Sequence, residues 1–227
     1  MAPARRAPAR GGRHPQPLSL SRSPSRPRAG RLSDWLARAS PGAYLALRRP
    51  WRKIRPYLPL PDRYWEQRKS YQYYAHVVRL ARLHVPAGGR VLDVGAGVAR
   101  LLERLDWFDD RLALDANATR RQRGVDRVMV DFLDYQPDAM FDLVLCLQVL
   151  EHVDDPATFA QKLLATGRTV IISVPYKWPA GGTATHRHDP VDERKLDTWT
   201  QRTPLDMRIV EDDGRQRLIA VYGNQRR

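Results

Sequence analysis

The segment Val-Leu-Asp-Val-Gly-Ala-Gly at residues 91–97 places the strongest constraint on the fold of this 227-residue chain. An apolar strand is followed there by two glycines that lie two residues apart. Glycine lets the backbone turn sharply and approach a ligand closely, which a side chain at either position would prevent. In α/β proteins, a strand, a glycine turn and a helix in this order seat a nucleotide-like cofactor beyond the strand's carboxyl end. The segment therefore predicts a cofactor-binding turn, and a tight turn without a ligand is the alternative.

Strand-like and helix-like apolar patterns alternate from residue 64 onward. Strands are predicted at residues 90–94, 112–115, 127–130, 141–147 and 169–174, with helices at 64–83, 98–105, 156–166 and 191–199. Segments 206–211 and 217–222 are separated by Asp212-Asp213-Gly214 and predict a closing antiparallel pair. Alternation of this kind predicts an α/β fold, with a mostly parallel sheet and helices on both of its faces.

The positive charge of the chain is concentrated at its N-terminus. Residues 1–60 hold 14 of the 39 basic residues and one of the 25 acidic residues, so the remainder is nearly neutral. This segment is rich in Pro and Arg, and we expect it to be largely disordered. Loose attraction to nucleic acid or anionic lipid is the functional alternative. Residues 61–227 are predicted to form the folded domain.

Targeting and redox signals are sparse in the sequence. No apolar run approaches 18 residues, so no membrane span is expected, and no signal-peptide core is recognisable. Cys146 is the only cysteine, which excludes an internal disulfide, and its apolar strand predicts a buried, inert thiol. A cytoplasmic location is the default expectation.

Further polar residues follow the predicted strands and narrow the choice of cofactor. A dinucleotide fingerprint would need a third glycine at position 100, which is Arg100. Asp115 ends the second strand, where a carboxylate can accept hydrogen bonds from both ribose hydroxyls. Asp131-Phe132 follows the third strand, where an acid and an aromatic ring suit an adenine. Residues 141–153 read Phe-Asp-Leu-Val-Leu-Cys-Leu-Gln-Val-Leu-Glu-His-Val.

These segments together resemble class I S-adenosylmethionine (SAM) methyltransferases of the type 11/12-like family. The glycine motif of that family is matched at Asp93, Gly95 and Gly97 and departs at Ala99, a position predicted to begin the next helix. The resemblance implies a Rossmann-like sheet of seven strands, mostly parallel, with a C-terminal antiparallel strand. It also implies that the helix at 64–68 closes over the cofactor.

The resemblance implies a set of cofactor-binding residues. Asp93 and the turn Gly95-Ala96-Gly97 would hold the methionine part of SAM, and Asp115 the ribose. Asp131 and Phe132 would hold the adenine, and Leu147 with Gln148 would form the wall beside the sulfonium.

Three histidines are candidates for catalysis. Methyl transfer to a hydroxyl needs a proton acceptor, and His152 is the first candidate because it follows the fourth strand at the cofactor edge of the sheet. His186 and His188 lie in a long loop after the fifth strand, in the region that commonly shapes the acceptor pocket of such enzymes. The alternative is that these residues hold a divalent ion, with Glu151, His152, His186 and His188 as its ligands. This group of residues resembles the Glu-x-x-Glu-His ligand set, with a distant histidine, of some O-methyltransferases. Gln148 replaces the first Glu of that set and is a poorer ligand, so no metal is expected.

The sequence favours a SAM-dependent enzyme that methylates a small molecule, with O-methylation of a sugar or secondary metabolite preferred. An RNA methyltransferase that uses the basic N-terminal segment is the second hypothesis. A non-catalytic binding module with the same fold is the third.

Overall fold

A computed structural model describes residues 63–117 and 121–223 of the chain. The predicted disorder of residues 1–60 therefore concerns residues outside this range. The elements, in chain order, are α1 Arg63–Arg68, α2 Gln72–His84, β1 Arg90–Val94, β2 Asp110–Asp115, β3 Asp126–Met129, β4 Phe141–Leu147, α3 Pro156–Thr166, β5 Gly167–Pro175, α4 Glu193–Thr200, β6 Asp206–Asp212 and β7 Arg215–Gly223. No helix among the described residues is long and apolar enough to cross a membrane.

The strands form one seven-stranded sheet in the order β3-β2-β1-β4-β5-β7-β6. Strands β1 to β5 pair in parallel, whereas β7 runs antiparallel to both β5 and β6. The strand order diverges at β1, with β2 and β3 added on one side and β4 and β5 on the other, so the carboxyl ends of β1 and β4 leave a crevice between them. This arrangement confirms the predicted α/β Rossmann-like fold with an antiparallel C-terminal strand.

Helices cover both faces of the sheet, as predicted. On one face, α2 packs Val77 and Ala81 against sheet residues such as Leu143 and Ile219. On the other face, α3 and α4 pack Leu163, Phe159 and Trp199 against the alternate residues of the same strands. Because alternate side chains of β4 and β5 enter different apolar layers, these strands are apolar almost throughout.

The predicted helix at residues 64–83 is instead two helices, α1 and α2. Tyr71 has extended backbone angles and separates them. The first amides of α2, from Gln72 and Tyr73, donate to the Asp212 carboxylate at 2.9 and 3.0 Å. A carboxylate from the β6–β7 hairpin thus caps α2. Apolar spacing alone cannot reveal a cap that lies so far away along the chain.

The predicted helix at 98–105 is also wrong, because only Leu101–Arg104 forms a single 3-10 turn. Ala99 lies before that turn and does not begin a helix, and its amide donates to the Ala96 carbonyl at 3.2 Å. The glycine turn therefore continues for several residues before any helical bond forms. Leu101 and Leu102 are still fully buried, so one turn satisfies the apolar spacing that suggested a longer helix.

Candidate functional site

A cavity of about 290 Å³ lies beyond the carboxyl ends of β1 and β4, and we name it the glycine-turn cavity. Six of the nine predicted cofactor residues line it: Asp93, Gly95, Ala96, Gly97, Leu147 and Gln148. Tyr64 from α1 and Tyr73 and Tyr74 from α2 cover it. Tyr64 thus brings α1 to the edge of the cavity, and closure of α1 over the cofactor stays a prediction.

The glycine turn is held in place by the neighbouring strand β2. The amides of Gly95 and Ala96 donate to the Leu114 carbonyl at 2.8 and 3.2 Å. Asp115 accepts from the Gly97 amide at 3.0 Å and from the Asn117 amide at 2.7 Å. Burial raises the pKa of Asp115, although both backbone hydrogen bonds oppose this. Asp115 therefore anchors the turn, and its predicted contact with a ribose stays a prediction.

The Asp93 carboxyl group is suited to a cationic ligand. Its side chain is only 3% exposed, lines the glycine-turn cavity and has no hydrogen-bond partner among the described residues. Burial, and then the nearby Asp115, raise the pKa of Asp93 to about 7. A buried carboxylate without a partner is unfavourable, and an adjacent cation would offset that cost. The α-ammonium group of SAM supplies such a cation, so the residues present fit this cofactor.

The structure places Asp131 and Phe132 outside the residues that line the glycine-turn cavity. Asp131 is exposed, and its carboxylate accepts from the Leu133 amide at 2.9 Å. Phe132 is buried and packs against Phe159, with ring centroids 5.0 Å apart. Their predicted contacts with adenine therefore stay predictions.

A second and larger cavity, of about 540 Å³, adjoins the first, and we name it the histidine cavity. It shares Tyr64, Tyr73, Tyr74 and Gln148 with the glycine-turn cavity. The remaining wall comes from the loops after β4 and β5 and from the β6–β7 hairpin: Glu151, His152, Trp178, Thr183, Thr185, His186, Asp213, Arg215 and Arg217, with Arg68 and Tyr71 from the α1–α2 segment. A ligand in one cavity can therefore meet a ligand in the other at the shared residues.

Gln148 marks the junction of the two cavities. Its backbone φ is +58°, in the left-handed region, and its amide donates to the Ser173 carbonyl at 2.9 Å. Its side-chain amide donates to the Ser173 hydroxyl at 3.3 Å, and that hydroxyl shares a 2.5 Å hydrogen bond with Tyr73. Strained backbone held by a buried network is common at ligand sites. Leu147 and Gln148 both line the glycine-turn cavity, and their predicted place beside the sulfonium stays a prediction.

His186 and Asp189 form a buried pair. The Asp189 carboxylate accepts from His186 Nδ1 at 2.6 Å, and their side chains are 6% and 2% exposed. With Nδ1 protonated for this bond, Nε2 carries the lone pair and can accept a proton. The carboxylate would then stabilise the resulting imidazolium. Asp189 is a residue that the sequence analysis did not select, although it lies three positions after His186.

His152 also presents one ring nitrogen to the histidine cavity. Its Nδ1 donates to the Thr185 carbonyl at 3.0 Å, and its ring meets that of His186 edge to face at 4.8 Å. Burial lowers the pKa of His152. A carbonyl stabilises an imidazolium less than a carboxylate does, so His186 is the better placed of the two as a proton acceptor.

Glu151 is fully buried beside these histidines. Neither of its carboxyl oxygens has a hydrogen-bond partner among the described residues, and burial raises its pKa to about 8. One ligand atom from each of Glu151, His152 and His186 lies within 4.8 Å of the others. His152 Nε2 and Glu151 Oε1 are 4.0 Å apart, whereas two ligands of a tetrahedral zinc lie about 3.4 Å apart. These side chains would have to move closer together to hold an ion. That the protein holds no resident metal stays a prediction.

The structure does not bring His188 into the histidine cavity. Its Nε2 donates to the Val153 carbonyl at 2.8 Å, and its ring packs against Trp199 on the far face of the sheet. The interaction joins the loop after β5 to the loop after β4. His188 therefore positions the segment that carries His186.

The two glycines of the turn should respond differently to alanine. A Cβ at Gly95, where φ is +75°, would lie 2.4 Å from a methyl group of the stiff Val149 side chain. A Cβ at Gly97 would meet only the Gly95 carbonyl, at 3.9 Å, in the space of the cavity. We expect Gly95→Ala to lose about 2–4 kcal/mol of unfolding free energy. Gly97→Ala should lose only about 1 kcal/mol of unfolding free energy. It should also bind SAM more weakly, because its added methyl group would occupy space in the cavity.

Urea unfolding and calorimetric titration with SAM measure these two effects. The double variant Gly95→Ala/Val149→Ala removes the clash and should recover part of the lost stability. Equal stability losses in both single variants would contradict the assigned geometry.

Comparisons with known proteins identify the family and the fold of this chain. A family model described as a methyltransferase domain matches residues 64–207. No curated protein sequence matches the chain significantly. Among solved structures, the 1,6-didemethyltoxoflavin-N1-methyltransferase of Burkholderia thailandensis is 17% identical, with a TM-score of 0.56, and the match covers 90% of this chain and 92% of that one.

Two further structures have the same fold. The N-methyltransferase NodS of Bradyrhizobium japonicum WM9 is 14% identical, with a TM-score of 0.56, over 74% of this chain and all of that one. Magnesium protoporphyrin IX methyltransferase from Synechocystis PCC 6803, with bound SAM, is 16% identical, with a TM-score of 0.54, over 84% and 93% of the two chains. The match to the family model covers more than half of the sequence, and the chain belongs to the methyltransferase domain family as a class I enzyme that uses SAM.

Proposed function

We propose that this enzyme transfers the methyl group of SAM to a hydroxyl group of a small molecule bound in the histidine cavity. The observation that carries the proposal is the junction of the two cavities at Gln148, with the His186–Asp189 pair lining the second cavity. A hydroxyl nucleophile has to lose a proton as it attacks, which an amine needs less. A buried histidine–carboxylate pair therefore favours O-methylation.

Each residue near the junction has a separate part in the proposed reaction. SAM supplies a methyl group already activated by its sulfonium, so the protein mainly has to align the acceptor and exclude water. The hydroxyl oxygen attacks the methyl carbon, the carbon–sulfur bond breaks, and its electrons remain on sulfur. The hydroxyl proton passes to His186 Nε2, and Asp189 stabilises the charge on the ring. Below about pH 8 Glu151 is protonated and can donate a hydrogen bond to the acceptor.

Small acceptors are favoured over nucleic acid on two grounds. The histidine cavity has a volume of about 540 Å³, within the range of about 300–1,000 Å³ typical of small-molecule sites. The structural neighbour from Burkholderia thailandensis carries bound 1,6-didemethyltoxoflavin. The basic segment 1–60, on which the RNA hypothesis depends, lies outside the described residues. The expected cytoplasmic location likewise stays a prediction.

An acceptor screen tests the proposal. The full chain and a variant lacking residues 1–60 are incubated with SAM labelled in its methyl group and with pools of small hydroxylated molecules, and products are detected by mass spectrometry. We expect labelled O-methyl products from both proteins at similar rates. Labelling of RNA only, and only with the full chain, would replace the proposal with the RNA hypothesis. SAM binding without methylation of any pool or RNA would contradict the proposed chemistry.

A further inference from the structure

Arg217 is a buried cation in the wall of the histidine cavity. Its side chain lies at the start of β7, opposite Pro175 of β5, and is 8% exposed. Arginine is almost never buried to this extent without an acidic partner. Within residues 63–117 and 121–223, the only hydrogen bond of its guanidinium is a long one, 3.5 Å from Nη1 to the Arg215 carbonyl. No carboxylate among the described residues lies within ion-pair distance of it.

Aromatic rings surround the Arg217 guanidinium in place of a counterion. Its central carbon lies 5.2, 5.5 and 5.7 Å from the ring centres of Tyr71, Tyr73 and Trp178. These contacts stabilise the cation through the ring faces but leave its N–H donors without strong acceptors. The donors of Arg217 are therefore available to a ligand in the cavity.

Two more arginines line the same cavity without an acidic partner in the described part of the chain. Arg215 lies over the Trp178 ring at 4.6 Å, and Arg68 lies over the Tyr64 ring at 4.0 Å. The cavity wall also holds two acids. Asp213 accepts a hydrogen bond from the Tyr71 hydroxyl, and the Glu151 carboxyl group has no hydrogen-bond partner among the described residues. The three arginines outnumber these two acids, so the wall of the cavity carries a net positive charge.

We infer that the acceptor carries an anionic group, a carboxylate or a phosphate, which Arg217 binds with help from Arg215 and Arg68. The planar guanidinium donates to both oxygens of such a group at once. Arg217 and His186 line one cavity, so an anion at the arginines would fix the orientation of a hydroxyl beside the histidine. This inference rests on the proposed function, because it names the class of acceptor for the same site.

Anion binding to the full chain saturated with S-adenosylhomocysteine tests the inference. Ligand-observed NMR measures the affinity for inorganic phosphate, acetate and neutral acetamide. We expect phosphate, acetate or both to bind, and acetamide not to bind. The preferred anion identifies the acceptor as a phosphate ester or a carboxylic acid. Arg217→Gln should weaken anion binding about tenfold or more.

Matched variants separate a binding role from a folding role. Arg217→Lys keeps the charge and should retain part of the affinity, whereas Arg194→Gln alters an exposed arginine of α4 outside both cavities and should change nothing. The inference is overturned if neither anion binds the wild type, or if the anion that binds the wild type binds Arg217→Gln equally well. Failure of S-adenosylhomocysteine to bind the wild type would instead refute the proposed function, so the two failures are distinguishable.

Discussion

Replacing Asp93 by asparagine should weaken SAM binding about 30-fold or more at pH 7 and should also make the unliganded protein more stable at pH 8. The affinity is lost because the buried carboxylate no longer pairs with the ammonium group of SAM. The stability is gained because the folded pKa of Asp93, about 7, lies above its ordinary value of 3.8. Protonation is thus favoured by folding, and the stability from this group falls as pH rises from about 4 to 7. Calorimetric titration and thermal unfolding measure the two effects.

The pH dependence of SAM binding provides a second readout for Asp93. Below pH 7 the carboxyl group must lose a proton before it can pair with the ligand. The wild-type affinity should therefore be about 15-fold lower at pH 5.5 than at pH 7, while the α-ammonium of SAM stays protonated over this range. Asp93→Asn should abolish most of this dependence. An unchanged pH profile in the variant would assign the dependence to another group, such as Asp115.

Replacing His186 by glutamine should lower kcat about 10²- to 10⁴-fold while the affinity for SAM changes less than twofold. The loss reflects removal of the group that accepts the hydroxyl proton. Asp189→Asn should give a smaller loss, because His186 remains but its imidazolium loses the adjacent negative charge. Single-turnover kinetics with labelled SAM and an acceptor from the screen measure the rate of methyl transfer.

Other histidine variants and metal analysis test the competing explanations. His76→Gln on α2 lies outside both cavities and should leave kcat unchanged. His188→Gln should mainly lower the thermal stability, with a smaller effect on kcat, because it removes the hydrogen bond from His188 Nε2 to the Val153 carbonyl.

Metal content is measured for wild type and His186→Gln by mass spectrometry. One equivalent of a divalent ion that disappears in the variant would assign His186 to a metal site and contradict its role as proton acceptor.

The sheet could be predicted from the sequence because its strands carry strong local signals. Phe141–Leu147 is apolar at every position except Asp142, and its observed bounds match the prediction. Asp155 and Pro156 define the start of α3, where the Asp155 carboxylate accepts from the Thr158 amide at 3.0 Å. The predicted helix at 98–105 failed because apolar spacing over eight residues does not distinguish one 3-10 turn from a longer helix.

The cofactor half of the site was more predictable than the acceptor half. Asp93 and the glycines are neighbours in the sequence, so their motif reveals the cavity that they line. The acceptor half depends on contacts between distant segments, such as Tyr73 with Ser173 and the Asp212 cap of α2. Arg217 is one of many basic residues in the chain, and only its burial distinguishes it. The spacing of residues along the sequence does not reveal contacts between segments so far apart.

A crystal structure of the full chain with S-adenosylhomocysteine would test the central claim most directly. We predict that the amino group of the ligand lies within hydrogen-bond distance of the Asp93 carboxylate. Its sulfur should lie beside Gln148 and face the histidine cavity, toward His186. A ligand bound outside the glycine-turn cavity, or one whose sulfur points away from the histidine cavity, would contradict the account.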